Sequence, residues 1–156
     1  MKHPERIELA PGYSISRIIT GLWQVADIEK EDGSMDLGPA ASALVDYAES
    51  GFDTFDMADH YGSAELIAGH ARRKMQEHDS ANGPSSKARF HTKWCPKPGE
   101  MSPQKVREGV LLSAERLDME QIDLMQFHWW NYEHPQYLDA MEGLQALKEE
   151  VIHLKL

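Results

Sequence analysis

A period of about 30 to 36 residues, marked by short apolar runs, constrains this chain more than any other feature. Strand-like segments begin near residues 18, 52, 89, 122 and 151, and an amphipathic stretch follows each of the first four. That spacing is the length of one strand–helix unit, and strict alternation of the two implies a parallel sheet with helices packed on it. Ile15 to Trp23 reads as the first strand, with Ile18-Ile19-Thr20-Gly21-Leu22-Trp23 as its core. Asp27 to Gly38 is an acidic, irregular loop. Pro39 suits the first turn of a helix carrying Leu44, Val45 and Ala48, which Gly51 ends. Phe52 to Asp56 is the second strand.

Ser63 suits the cap of a helix with Leu66, Ile67, Ala71 and Met75 on one face. Asp79 to Lys87 reads as a soft loop, and Arg89 to Lys93 as the third strand. Ser102-Pro103 starts a helix striped by Val106, Val110, Ala114 and Leu117. Ile122 to His128 is the fourth strand. Pro135 opens a helix with Leu138, Met141, Leu144 and Leu147, and Val151-Ile152-His153-Leu154 reads as a fifth strand. No linker divides the 156 residues, so one domain is expected. A closed eight-fold barrel of this kind needs about 250 residues. The expectation is therefore the first four units of such a barrel plus a fifth strand, with both sheet faces apolar. Its edge strands would lack partners, and open edges template pairing with other chains, so self-association is expected if the chain ends at Leu156.

In parallel α/β architectures the C-terminal strand ends share one rim, where active sites sit. Asp56, Lys93 and His128 each close a strand-like run, and Tyr61 follows Asp56 by five positions. An acid, an amine, an imidazole and a phenol thus converge on one mouth. A phenol holds its proton too tightly, near pKa 10, to act as an acid at neutral pH without help. A nearby ammonium favours the phenolate, and a carboxylate beyond the ammonium holds it charged and oriented. Tyr61, Lys93 and Asp56 supply those parts, while His128 adds a donor able to polarise a carbonyl. Each residue alone has a plainer reading: a turn-starting aspartate, a packed tyrosine, a solvated lysine, a core histidine. Four such readings at four matched positions combine poorly.

The segment Phe55-Asp56-Met57-Ala58-Asp59-His60-Tyr61-Gly62-Ser63-Ala64-Glu65 resembles the aspartate-to-tyrosine segment of the aldo-keto reductases. His91-Thr92-Lys93 is similar to their lysine strand, Ile122 to Trp129 to their strand ending in His-Trp, and Thr20-Gly21-Leu22-Trp23 to their first strand. The resemblance runs in order over roughly residues 13 to 156. It implies a (β/α)8 TIM-barrel fold and NADPH-linked reduction of a small aldehyde or ketone, with NADH as the alternative cofactor. It makes Tyr61 the general acid, Lys93 and Asp56 its tuning pair, and His128 the group that orients the carbonyl. It places Gly21, Leu22 and Asp56 near the cofactor, and Trp23 and Trp129 along the substrate pocket. Leu22 stands where many members have threonine.

After the fourth helix the family pattern is a Lys-Glu-Gly turn, a strand and a Gly-X-Ser-Asn segment. This chain has Lys148-Glu149-Glu150-Val151-Ile152-His153-Leu154-Lys155-Leu156, with glutamate at the turn glycine's place. In the family most cofactor contacts come from the second half. A different expectation follows: a truncated half-barrel, incompetent alone, acting as an interaction or regulatory subunit.

Other classes fit less well. The chain carries 16 basic and 26 acidic residues, a net −10, with no basic stripe, so nucleic acid is not an expected partner. No run approaches the roughly 18 apolar residues of a membrane span, and the N-terminus lacks an apolar leader. A single cysteine, Cys95, allows no internal disulfide and fits a cytoplasmic location. Asp56, Asp59, His60 and His128 have the side-chain types of a metal centre, but no H-x-H pair occurs on the early strands, and no metal is expected. Cys95 reads as a pocket-wall residue, and Trp130 as partly exposed beside the pocket.

Overall fold

A computed structural model describes residues 3–26, 36–82 and 88–153. Its centre is a four-stranded parallel sheet in the order β3 (Thr20–Gly21), β4 (Thr54–Asp56), β5 (Arg89–Trp94), β6 (Leu124–Phe127). Sequence order equals spatial order, as expected of strand–helix units laid down one after another. The helices are α1 (Leu37–Glu49), α2 (Ala64–Asn82), α3 (Pro103–Arg116) and α4 (Tyr137–His153). Among the described residues no helix is long and apolar enough to cross a membrane.

Local chemistry sets the helix ends. Asp36 caps α1 by accepting from the Gly38 N–H at 2.9 Å, and Gly51, at φ +89°, turns the chain out beyond it. Ser102 caps α3 by accepting from the Lys105 N–H, with Pro103 in the first turn. Outward side chains of β4 and β5 then meet the helices. Phe55 and Phe90 are in register and stack with ring centres 5.5 Å apart, in one core with Leu44, Ile67, Ala71 and Leu117. A second core joins Trp94, Met101, Val106, Trp129 and Ala140 between the later strands and α3 and α4. Gly69 brings α2 close to the end of α3: a Cβ there would stand 2.3 Å from the Arg116 carbonyl oxygen.

Five expectations need correction. Residues 15–23 are not one strand. Tyr13–Ser16 (β2) pairs antiparallel with Arg6–Ala10 (β1) through a turn at Pro11-Gly12, and only Thr20–Gly21 joins the sheet. Alternation of Ile7 and Leu9 with Tyr13 and Ile15 around Pro-Gly was the hairpin signal. The fifth strand is likewise absent from the described residues. Val151, Ile152 and His153 continue α4, and Leu154 onward lies outside them. With Glu150 where a glycine would stop the helix, nothing ends it, and a four-residue apolar run suits a helix end as well as a strand.

Helix α2 runs on to Asn82 through part of the expected loop, and residues 83–87 lie outside the described set, as do residues 27–35 of the loop expected at Asp27 to Gly38. Leu66, Leu138 and Met141, expected to face the core, are exposed. Finally, the inner sheet face is not apolar. Alternation puts Thr54 and Asp56 of β4, His91 and Lys93 of β5 and Gln126 of β6 on the side away from the helices, a polar interior.

Candidate active site

Strand ends place the tetrad, and the polar interior joins most of it. Asp56 ends β4 and Lys93 stands one residue from the end of β5, so both project into the interior at its C-terminal mouth. Lys93 Nζ donates to Asp56 Oδ2 at 2.5 Å and to the Met57 carbonyl oxygen at 2.8 Å. Both partners are largely shielded, which strengthens the pairing. The ammonium stands 5.2 Å from the centre of the Tyr61 ring. That ring is held edge-on by Trp23, 4.7 Å away, and by His60, 4.8 Å away. Carboxylate, ammonium and aromatic ring thus lie one beyond another at the mouth.

His128 follows β6 directly, and its N–H donates to the Trp94 carbonyl at 2.9 Å, which extends the β5–β6 ladder to the rim. Its ring meets Trp130 edge-on at 4.9 Å. Its Nδ1 is buried and has no hydrogen-bond partner.

Sequence reasoning missed Gln126, whose Nε2 donates to Asp56 Oδ1 at 3.2 Å. The signal was there, since Gln126 stands two residues before His128 and so shares its face. Asp56 is thus held on both oxygens, by Lys93 and by Gln126. Asp59 was read only as a weak metal candidate. Its N–H donates to the Lys93 carbonyl, and its Oδ2 accepts from the Cys95 N–H at 3.0 Å.

The cofactor-side residues differ in what they leave free. Gly21 is exposed beside Asp56 in the ladder, and a Cβ there would meet nothing within 4 Å, so bare backbone faces open space. Leu22 donates its N–H to the Asp56 carbonyl and accepts from Val25 and Ala26, so its main chain is already committed. Trp23 is half-exposed at the mouth. Trp129 is buried in the second core, its indole N–H donating to the carbonyls of Asn131 and His134. Trp130, next to it, is the exposed indole beside His128.

A cleft of about 630 Å³ opens at the opposite end of the sheet, lined by Tyr13, Arg72, Arg89, Asp118 and Asp123 among others. Its groups pair with one another: Arg89 with Asp123 at 3.1 Å, and the Tyr13 hydroxyl with His91 Nε2 at 2.9 Å. Burial, then Asp123, pushes the Tyr13 phenol up to about 12, while burial lowers His91. Both groups are neutral at pH 7, and this end reads as a hairpin-capped base.

The aldo/keto reductase family model matches residues 17–150. No curated protein matches the chain in sequence. Among solved structures, an aldo-keto reductase of Bombyx mori in complex with NADP aligns at TM-score 0.67 and 20% identity, over 96% of this chain and 48% of that one. An aldo/keto reductase from Brucella melitensis aligns at TM-score 0.64 and 19% identity, over 96% and 50%. A second silkworm aldo-keto reductase gives TM-score 0.69 at 18% identity, over 95% and 45%. The chain thus spans about half the length of these structures, and the likeness establishes a partial (β/α) barrel.

Proposed function

This chain belongs to the aldo/keto reductase family, and from that premise we propose that it is the N-terminal part of a barrel domain reducing an aldehyde or ketone to an alcohol with NADPH. The observation that carries the reading is the position of Lys93, bonded to Asp56 at 2.5 Å and standing 5.2 Å from the Tyr61 ring centre. NADPH, when bound, supplies the hydride. The residues here do the rest. Tyr61 gives its proton to the carbonyl oxygen, and Lys93 stabilises the negative charge left on the phenol oxygen. Asp56, itself held by Gln126, keeps the ammonium in place. His128, at the rim directly after β6, directs a ring nitrogen at the carbonyl. Trp23 walls the phenol from water on one side. Gly21 offers the backbone that a cofactor can approach without a side chain in the way.

In the full-length protein, addition of a small aldehyde should cause NADPH oxidation, with one alcohol formed per NADPH consumed. A purified, folded protein that consumes no NADPH with any of a broad panel of aldehydes and ketones would contradict this.

A second reading, that residues 1–156 act by association, is favoured by the sheet's edges. Strands β3 and β6 each have a partner on only one side among the described residues. The inner face is polar, so pairing would run through strand edges and the exposed Leu138 and Met141 more than through an apolar sheet. Residues 1–156 alone should form dimers or larger species at tens of micromolar. A clean monomer by light scattering would sink this second reading.

A further inference from the structure

We propose that Asp59, His60 and Cys95 bind a thiophilic divalent cation of the Zn²⁺ class at the rim beside Tyr61, through three protein ligands and one solvent position. One donor atom from each residue lies within 4.8 Å of the other two. The oxygen, nitrogen and sulfur set is the borderline-soft mixture that zinc takes, and it is poor for calcium or magnesium, which want oxygen throughout. Tetrahedral zinc sites place their ligand atoms roughly 3.3 to 3.8 Å apart, as bond lengths of about 2.0 to 2.3 Å require. The cluster therefore needs to close by about 1 to 1.5 Å at its widest. The exposed His60 ring has the freedom to supply that movement.

Two of the ligands sit on rigid backbone. Cys95 directly follows β5, and Asp59 is tied to β5 by its own N–H on the Lys93 carbonyl and by its Oδ2 on the Cys95 N–H. Asp59 Oδ1 lies 3.1 Å from His60 Nδ1, so the carboxylate already orients the ring. Coordination would displace the thiol proton outright. One carboxylate, one thiolate and a doubly charged ion then sum to zero, which keeps the complex compatible with the neighbouring Asp56–Lys93 pair. A surface Asp–His pair beside a protonated thiol explains the parts, but not the convergence of all three donors. The site shares no ligand with the tetrad, although His60 packs on Tyr61, and its existence does not depend on the reductase reading.

Cys95 is the chain's single cysteine, so any thiolate–metal absorption reports it alone. The reduced, metal-stripped full chain is titrated with Co²⁺ and watched in the near-ultraviolet and visible. Expected are one Co²⁺ per chain, a thiolate-to-cobalt charge-transfer band, tetrahedral d–d bands, and loss of all of them when Zn²⁺ is added. His60→Ala and Asp59→Asn should each weaken Co²⁺ binding by about tenfold or more with an unchanged far-ultraviolet spectrum. Absence of a charge-transfer band in the wild-type chain would overturn the proposal. So would a band that both variants leave at full strength and affinity.

Discussion

Lys93→Met should lower kcat by roughly 10²–10³-fold in the full-length protein, the scale of deleting one electrostatic contact at a developing anion. Methionine keeps most of the stem and its packing but removes the charge. The Asp56 carboxylate then loses its 2.5 Å partner and the Met57 carbonyl loses its donor. A carboxylate without its cation would stand close to where negative charge must form on Tyr61, so the variant is harmed twice over. Asp56→Asn in the Lys93→Met background removes the stray carboxylate, and should restore stability while leaving turnover low. Full activity in Lys93→Met would remove the ammonium from the mechanism.

Arg116→Met should be strongly destabilising. Glu65 is 1% exposed, and its carboxylate accepts from the Thr92 hydroxyl at 2.6 Å and from Arg116 Nη1 at 3.3 Å. Arg116 also donates to the Asp59 carbonyl, so one guanidinium joins α3, the start of α2 and the loop after β4. Removing one partner of a buried pair costs about 3–5 kcal/mol, and the partial exposure of Arg116 puts this case near the lower end. At about 3 kcal/mol, the melting temperature of a chain this size should fall by roughly 10 °C. Glu65→Gln, which keeps the shape and the acceptor for Thr92, should cost much less. Equal melting temperatures for wild type and Arg116→Met would show that the pair contributes nothing to stability.

The strand–helix period was legible because it repeats. Phe55, Phe90 and Ile67 carry it and are buried as the pattern requires. The placement of Asp56, Lys93 and His128 at strand ends was legible because each closes a short strand-like run, and strand ends share a rim whatever the rest of the barrel does. Four things were not. The hairpin at Arg6–Ser16 was passed over because its first strand is exposed throughout, so its alternation marks no core face. The end of α4 was misread because a short apolar run without a glycine before it has two equally good structures. Burial of the α4 stripe failed at Leu138 and Met141, which are exposed, while Ala140 is buried. Periodicity shows that a face exists, but only the neighbours decide which face is covered. Convergence of Asp59, His60 and Cys95 was invisible for another reason: it joins the turns after two different strands, and a linear spacing carries no sign of that.

The measurement closest to the central claim is kcat of Tyr61→Phe at saturating NADPH and aldehyde, with NADPH affinity measured on the same protein. Phenylalanine keeps the ring between Trp23 and His60 and deletes only the hydroxyl. With Tyr61 as the acid, turnover should fall by about 10²–10⁴-fold while NADPH affinity stays nearly unchanged. Turnover retained in Tyr61→Phe would contradict the account, because no other group here would then have been shown to deliver the proton.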